Sequence, residues 1–136
     1  MTSTPMAPVS WGELLDKITI LQIKAERLTD AGKRANVVTE LTLLSGIAGA
    51  ALQEVASLVA ELKGINESLW EIEDRIRDKE AAAAFDAEFI ALARSVYVTN
   101  DRRAEVKRDI NRALKSALVE EKSYKPYTAA PAIDPK

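Results

Sequence analysis

The segment SWGELLDKITILQIKAERL, residues 10–28, decides the fold because it predicts an amphipathic helix with two apolar sides. Ser10 is a typical N-cap, and Glu13 three residues later completes a capping box. Opposite the main stripe lie Ile20 and Ile23. A surface helix needs only one apolar stripe, so we expect this helix at the centre of a bundle or at a subunit interface. The main stripe, at alternating three- and four-residue spacing, consists of Trp11, Leu14, Ile18, Leu21, Ala25 and Leu28.

The next segment predicts one long helix from about Asn36 to Lys63, ended by Gly64. Its far side is small and uncharged, and Gly46 and Gly49 permit the close approach of another backbone. We therefore expect a helix that packs on two sides. Its apolar residues have the unbroken spacing of a coiled coil and are Val37, Leu41, Leu44, Ala48, Ala51, Val55, Leu58 and Leu62. The candidate contacts of a homodimer are Ile20, Ile23, Gly46 and Gly49.

Two further helices follow along the chain. A third is predicted from Asn66, a favourable N-cap, towards Ala84. Asp86 then caps a fourth helix that reaches about Lys122, either continuously or with a kink near Asn100.

The chain has no segment with the alternating pattern of a strand. The sequence therefore predicts an all-α fold, an antiparallel bundle of about four helices in two long hairpins. We expect residues 1–9 to form a flexible lead-in and residues 10–124 the bundle. Residues 125–136, with Pro126, Pro131 and Pro135, are expected to form a tail.

The composition argues against several kinds of site. The 19 basic and 21 acidic residues are thoroughly mixed and give a net charge of −2, so no basic block favours nucleic acid. The absence of Cys and His removes thiolate chemistry, the commonest general base and the commonest zinc ligands. No tight carboxylate cluster indicates a magnesium site. We therefore predict neither a metal nor a cofactor.

The same reading predicts a cytoplasmic protein without a membrane span. Residues 1–9 lack the charged and apolar regions of a signal peptide. The longest uncharged run, Leu41 to Gln53, is well below the ~20 residues that a spanning helix needs.

A polar run, Thr99 to Arg103, interrupts the apolar stripe of the fourth helix. Asn100, Arg103, Lys107 and Asn111 project from the middle of that face. Three interpretations remain open. The cations can pair with carboxylates of neighbouring helices, they can line a pocket for an anionic or sugar-like ligand, or the helix can protrude beyond the bundle. The carboxylates available for pairing are Glu13, Asp16, Glu40 and Glu73.

The third helix has a mixed polar face of its own, on which Asn66, Trp70, Glu73, Asp74 and Arg77 lie together. In one interpretation Glu73 and Arg77 form a solvated pair beside a half-buried Trp70. In the other, Trp70 anchors an interface or stacks on the ring of a ligand.

Six segments carry a family resemblance: GELLDKITIL (12–21), LWEIED (69–74), FDAEF (85–89), AR (93–94), VYVTNDRRAEVKRDIN (96–111) and EKSY (121–124). The chain resembles a family of small all-helical bacterial and phage-associated proteins of unknown function, some of them found with glycosyltransferase or repeat domains. The resemblance implies a role near cell-surface glycan assembly and no particular reaction. It directs attention to the polar positions inside the motifs, which are Glu13, Asp16, Lys17, Glu73, Asp74, Arg77, Asn100, Asp101, Arg103, Lys107 and Asn111.

These observations favour a non-enzymatic interaction or accessory module, homodimeric, with a glycosyltransferase or another protein as its partner. No residue is predicted to be catalytic. The alternative is a small metal-free binding protein or enzyme for an anionic or sugar-like ligand. Its candidate binding residues are Asn100, Arg103, Lys107, Asn111, Glu13, Asp16, Glu73, Arg77 and Trp70.

Overall fold

The structure is a computed structural model and describes residues 3–128 and 130. This part of the chain contains five helices. These residues contain no strand, which confirms the all-α fold. Within them, no helix combines the length and the apolar character that crossing a membrane requires. The helices are α1 (Trp11–Arg27), α2 (Ala31–Ala48), α3 (Ala51–Glu54), α4 (Ala56–Ala81) and α5 (Ala87–Ala113).

Helix α1 lies at the centre of the bundle, in contact with α2, α4 and α5. This position explains its two apolar sides. Ile18 is fully buried on the main stripe, while Ile23 on the other side is only 1% exposed. Ile23 is thus covered by the chain itself and is not available to a second copy, whereas Ile20 is partly exposed.

The predicted helix from Asn36 to Lys63 is wrong, because the chain breaks at Gly49. Gly49 has φ 54° and ψ −131°, a conformation that residues with a side chain rarely adopt. Its N–H donates to the carbonyl of Ser45 at 3.0 Å and ends α2. The apolar stripe of the sequence hid this break because its members Ala48, Ala51 and Val55 are all buried on either side of Gly49 and through α3.

The predicted boundary at Gly64 and Asn66 is also wrong, since α4 runs through both residues. A glycine inside a helix costs only about 1 kcal/mol relative to alanine. Burial of Leu62 and Ile65 on either side outweighs that cost. Asn66 does not cap a helix but turns its side chain amide to α1.

Helix α5 is continuous through Asn100 and Asp101, but it ends at Ala113 and not near Lys122. A Schellman motif ends it: the N–H of Ser116 donates to the carbonyl of Asn111 at 2.8 Å. Lys115 occupies the left-handed position of this motif, with φ 53°.

Two N-caps are confirmed. The Ser10 side chain accepts from the N–H of Glu13 at 3.1 Å, and the Asp86 carboxylate accepts from that of Phe89 at 2.9 Å. Beyond α5, residues 114–128 contain no further helix and return along α5. Pro131 and Pro135 of the predicted tail lie outside the described residues.

Candidate functional site: a basic groove beside α5

A buried ion pair joins α1 to α5. Asp16 is 2% exposed, and its two carboxylate oxygens face the guanidinium of Arg103. Arg103 Nε donates to Asp16 Oδ1 at 2.9 Å, and Nη2 donates to Oδ2, which is the bidentate geometry that fixes both partners. The hydrogen bond to Asp16 raises the pKa of Arg103 despite partial burial. This pair holds Arg103 in one orientation at the edge of the bundle.

The Asp16 carboxylate has a further partner on α4. Asn66 Nδ2 donates both to Asp16 Oδ1 and to Thr19 Oγ1, at 2.9 Å each. The Thr19 hydroxyl donates in turn to the carbonyl of Asp16 at 2.7 Å. These bonds compensate the desolvation of the charge and tie three helices together at one point.

Lys107 lies one turn after Arg103, and only 12% of its side chain is exposed. Its Nζ donates to Glu13 at 2.8 Å and to Glu120 at 3.0 Å. Burial opposes the charge, but these two bonds outweigh burial and raise the pKa of Lys107. Hydrogen bonds from Lys122 and Lys107 lower the pKa of Glu120 to about 2. Lys107 thus connects α1 to the segment that follows α5.

The N-terminus of α1 touches the backbone of α5. The N–H of Gly12 donates to Asn111 Oδ1 at 2.7 Å, and that of Trp11 donates to Ser116 Oγ at 3.2 Å. A Cβ atom at Gly12 would lie 2.6 Å from the carbonyl oxygen of Lys107. Only glycine permits this close crossing, which sets the position of Lys107 against Glu13.

A groove of about 1020 Å³ lies between the outer side of α5 and the segment of residues 115–128 and 130. Contacts near its ends show that this segment runs antiparallel to α5. Glu120 binds Lys107, the Tyr127 hydroxyl donates to Asp101 at 2.8 Å, and Arg94 donates to the carbonyl of Ala130. The groove therefore has a helix as one wall and an extended segment as the other.

The lining of the groove contains more cations than carboxylates, in a chain whose net charge is −2. Two carboxylates, Asp101 and Glu105, face six cations. Arg108 and Lys125 form no ion pair within the residues that the structure describes, and both are exposed. The six cations are Arg94, Arg103, Lys107, Arg108, Lys122 and Lys125.

All three tyrosines of the sequence line the same groove. Tyr97 and Tyr127 pack edge to face, with ring centroids 5.2 Å apart. Tyr124 is 77% exposed, and its described contact is the Lys122 ammonium 5.7 Å from the ring centroid. One aromatic face is therefore available inside a basic groove.

The candidate residues from the sequence fall into separate places. Asn100, Arg103 and Lys107 line the groove, with Glu13 and Asp16 behind them as pairing partners. Asn111 is buried in the crossing of α1 and α5. The contacts of Arg103 and Lys107 are those of the internal ion-pair interpretation, yet a groove lies beside them, so ligand binding by these residues stays a prediction.

The candidate residues on α4 do not line this groove. Glu73 and Arg77 form an exposed pair at 3.3 Å, and Trp70 packs under the guanidinium of Arg27 at 5.8 Å. Glu40, another candidate partner, pairs with Lys17 at 3.0 Å. Gly46 lies on the exposed side of α2, and Gly49 forms the turn after it.

The sequence-based prediction missed the second wall, with Lys122, Tyr124, Lys125 and Tyr127. These residues follow α5 and share no helical face, so periodicity could not place them. A signal was present nonetheless, because the six residues 122–127 contain two of the three tyrosines and two lysines. Within residues 3–128 and 130, no group of three or more carboxylates lies close enough to hold a metal ion.

Comparison with curated proteins and with solved structures found no match. A family model does match, over residues 6–135, which include α1 to α5 and the segment that forms the second wall of the groove. The chain therefore belongs to DUF6165, a family of unknown function.

Proposed function

We propose that this protein binds an anionic ligand in the groove between α5 and residues 115–128 and 130. The observation that carries the proposal is that Arg108 and Lys125 line this groove, are exposed and form no ion pair among the described residues. Such a groove concentrates anions near the protein and attracts them from solution.

The cations of the groove are of two kinds: some are held in ion pairs with carboxylates behind the groove, and two are unpaired and can contact a ligand. Arg103 and Lys107 are engaged by Asp16, Glu13 and Glu120 and form a rigid wall. Arg108 and Lys125 have no such partner among the described residues and so provide the charge for a ligand. A binding site works best when its supporting side chains are held by neighbours of their own.

Inorganic pyrophosphate is the simplest probe of this proposal, by isothermal titration calorimetry at low salt. We expect binding that weakens as salt is added. The double variant Arg108→Ala/Lys125→Ala removes two charged hydrogen bonds of about 1.5 kcal/mol or more each, so affinity falls about a hundredfold.

The matched control is Arg112→Ala/Lys33→Ala, which removes two cations outside the groove. Arg112 lies on α5 and pairs only with Asp109 among the described residues, and Lys33 lies on α2. Equal loss of affinity in the control and the groove variant, or no binding of pyrophosphate by the wild type, would overturn the proposal.

A second candidate function, self-association, is favoured by the outer side of α2. Leu43 and Ile47 are 57% and 54% exposed, and nothing lies within 4 Å of a Cβ placed on Gly46. Sedimentation equilibrium of the wild type and of Leu43→Glu/Ile47→Glu tests it: we expect a dimer that the variant dissociates. A wild-type monomer at high concentration would exclude the dimer. The glycan-assembly role implied by the resemblance also remains a proposal, and a sugar phosphate suits the charge of the groove.

A further inference from the structure

We infer that the groove takes a ligand of the nucleoside diphosphate class, with its ring on Tyr124 and its phosphates on Arg108 and Lys125. This inference rests on the proposed function and adds the chemical class. Tyr124, Arg108 and Lys125 are the groups of the groove whose contacts within the described residues leave them able to bind a ligand.

Two of the three tyrosines pack against each other, and the third, Tyr124, is able to stack on a ligand. Tyr97 and Tyr127 cover each other edge to face, and the Tyr127 hydroxyl is held by Asp101. Tyr124 lacks such partners among the described residues, apart from the Lys122 ammonium near its ring. An exposed tyrosine beside cations is a platform on which planar rings stack.

The position of Tyr124 follows from the two contacts that flank it. Glu120 is fixed at Lys107 and Tyr127 is fixed at Asp101, so Tyr124 and Lys125 lie between these anchors. The anchors are about 9 Å apart along α5 at 1.5 Å per residue, whereas residues 120–127 could extend over more than about 20 Å. The excess length leaves room for a groove between the segment and the helix.

The opposite wall supplies the charge at the other end of this interval. Arg108 lies on the same side of α5 as Tyr97, Asp101 and Ala104, all of which line the groove. Lys125 follows Tyr124 directly in the chain, so a ring stacked on Tyr124 places its phosphates beside Lys125, with Arg108 on the facing wall of the groove. A diphosphate matches the two available cations better than a single carboxylate does.

Size and charge favour a mononucleotide over a nucleic acid strand. The groove volume of about 1020 Å³ is near the upper end of the range of small-molecule sites. Outside the groove the chain is net negative, because the whole chain has a charge of −2 while the lining is positive. A longer polyanion would meet this unfavourable charge beyond the groove.

Calorimetry with three probes tests the inference on the full chain: ADP, adenosine and inorganic pyrophosphate. We expect ADP to bind about tenfold or more tightly than pyrophosphate, because of ring stacking. Tyr124→Ala should remove this gain and leave pyrophosphate binding unchanged, while Tyr124→Phe should keep it. Circular dichroism checks that each variant is folded.

The outcomes separate the class of ligand from the proposed function. Pyrophosphate binding without a gain for ADP would overturn the nucleoside class and leave the anion site intact. Binding of none of the three probes would overturn both. An affinity for oligo(dT) that exceeds that for ADP and grows with length would overturn the class in favour of single-stranded nucleic acid.

Discussion

Asp16 carries a charge at a position where only 2% of the residue is exposed, so its partners determine whether the bundle tolerates it. Arg103 and Asn66 provide those partners from α5 and α4. A carboxylate in this setting stabilises little by itself, but its removal leaves a partly buried guanidinium without a counter-charge.

We therefore expect Asp16→Ala to lower the free energy of unfolding by about 3 kcal/mol or more, measured by urea denaturation. Glu73→Ala is the control, because Glu73 forms an exposed pair with Arg77 and its loss costs less than about 0.5 kcal/mol. Similar losses in the two variants would contradict the coupling of Asp16 to Arg103.

Gly12 offers a second test at this scale. An added Cβ would lie 2.6 Å from the carbonyl of Lys107, so Gly12→Ala must push α1 away from α5 and costs about 1–3 kcal/mol. Gly64→Ala is the matched change, since Gly64 lies inside α4 with nothing within 4 Å of a Cβ; it gains about 1 kcal/mol. Thermal denaturation measures the stability of both variants. A Gly12→Ala variant as stable as the wild type would contradict the close crossing of α1 and α5.

Helix ends set the next scale. The Schellman motif at the end of α4 places Ala83 at φ 51°, a conformation that disfavours side chains. The N–H of Ala84 donates to the carbonyl of Lys79 at 2.9 Å in the same motif.

Ala83→Gly should therefore stabilise the protein by roughly 1 kcal/mol, since it relieves the left-handed strain. The neighbouring change Ala82→Gly should have the opposite sign, because Ala82 is helical, with φ −86°. Urea denaturation measures both; a destabilised Ala83→Gly variant would contradict the assignment of strain.

The sequence predicted a helix end correctly where that end depends only on residues next to it in the chain. Ser10 and Asp86 cap helices as the sequence indicates, because a capping hydrogen bond depends on residues only three positions away. Gly64 and Gly49 show the limit of such signals. Gly64 follows an apolar stripe yet continues a helix, because Leu62 and Ile65 on either side of it are buried; Gly49 lies within the stripe yet ends a helix.

The candidate site was predictable to the same extent. The polar face with Arg103 and Lys107 follows from helical periodicity, and so does the need for carboxylate partners. The choice of Asp16 and Glu13 over Glu40 and Glu73 depends on how the helices cross. No periodic pattern covers residues 115–130, which is why the second wall of the groove was missed.

At the scale of the whole molecule, the attachment of residues 115–128 to α5 should depend on pH. Glu120 has a folded pKa of about 2, below its ordinary 4.5, so its ion pairs stabilise the attached segment above pH 4.5. This contribution is lost as the pH falls from 4.5 towards 2. Amide NMR signals of residues 120–127 should report release of the segment in that window.

Glu120→Gln is the control for this titration. The variant lacks the titrating group, so the segment should be less firmly attached already at neutral pH. The NMR signals of the variant should then change much less between pH 4.5 and 2 than those of the wild type. A wild-type spectrum that stays constant across this window would contradict the role of Glu120.

The bond between Asp16 and Arg103 joins residues 87 positions apart. During synthesis at about 5–20 residues per second, roughly 4–17 s pass before the arginine that pairs with this carboxylate has been added. Until then α1 and α2 cannot bury Asp16 at low cost, because Arg103, the arginine that pairs with it, is not yet present. Packing of the early helices against each other therefore adds little stability before α5 is made. We expect the bundle to form only after α5 has left the ribosome.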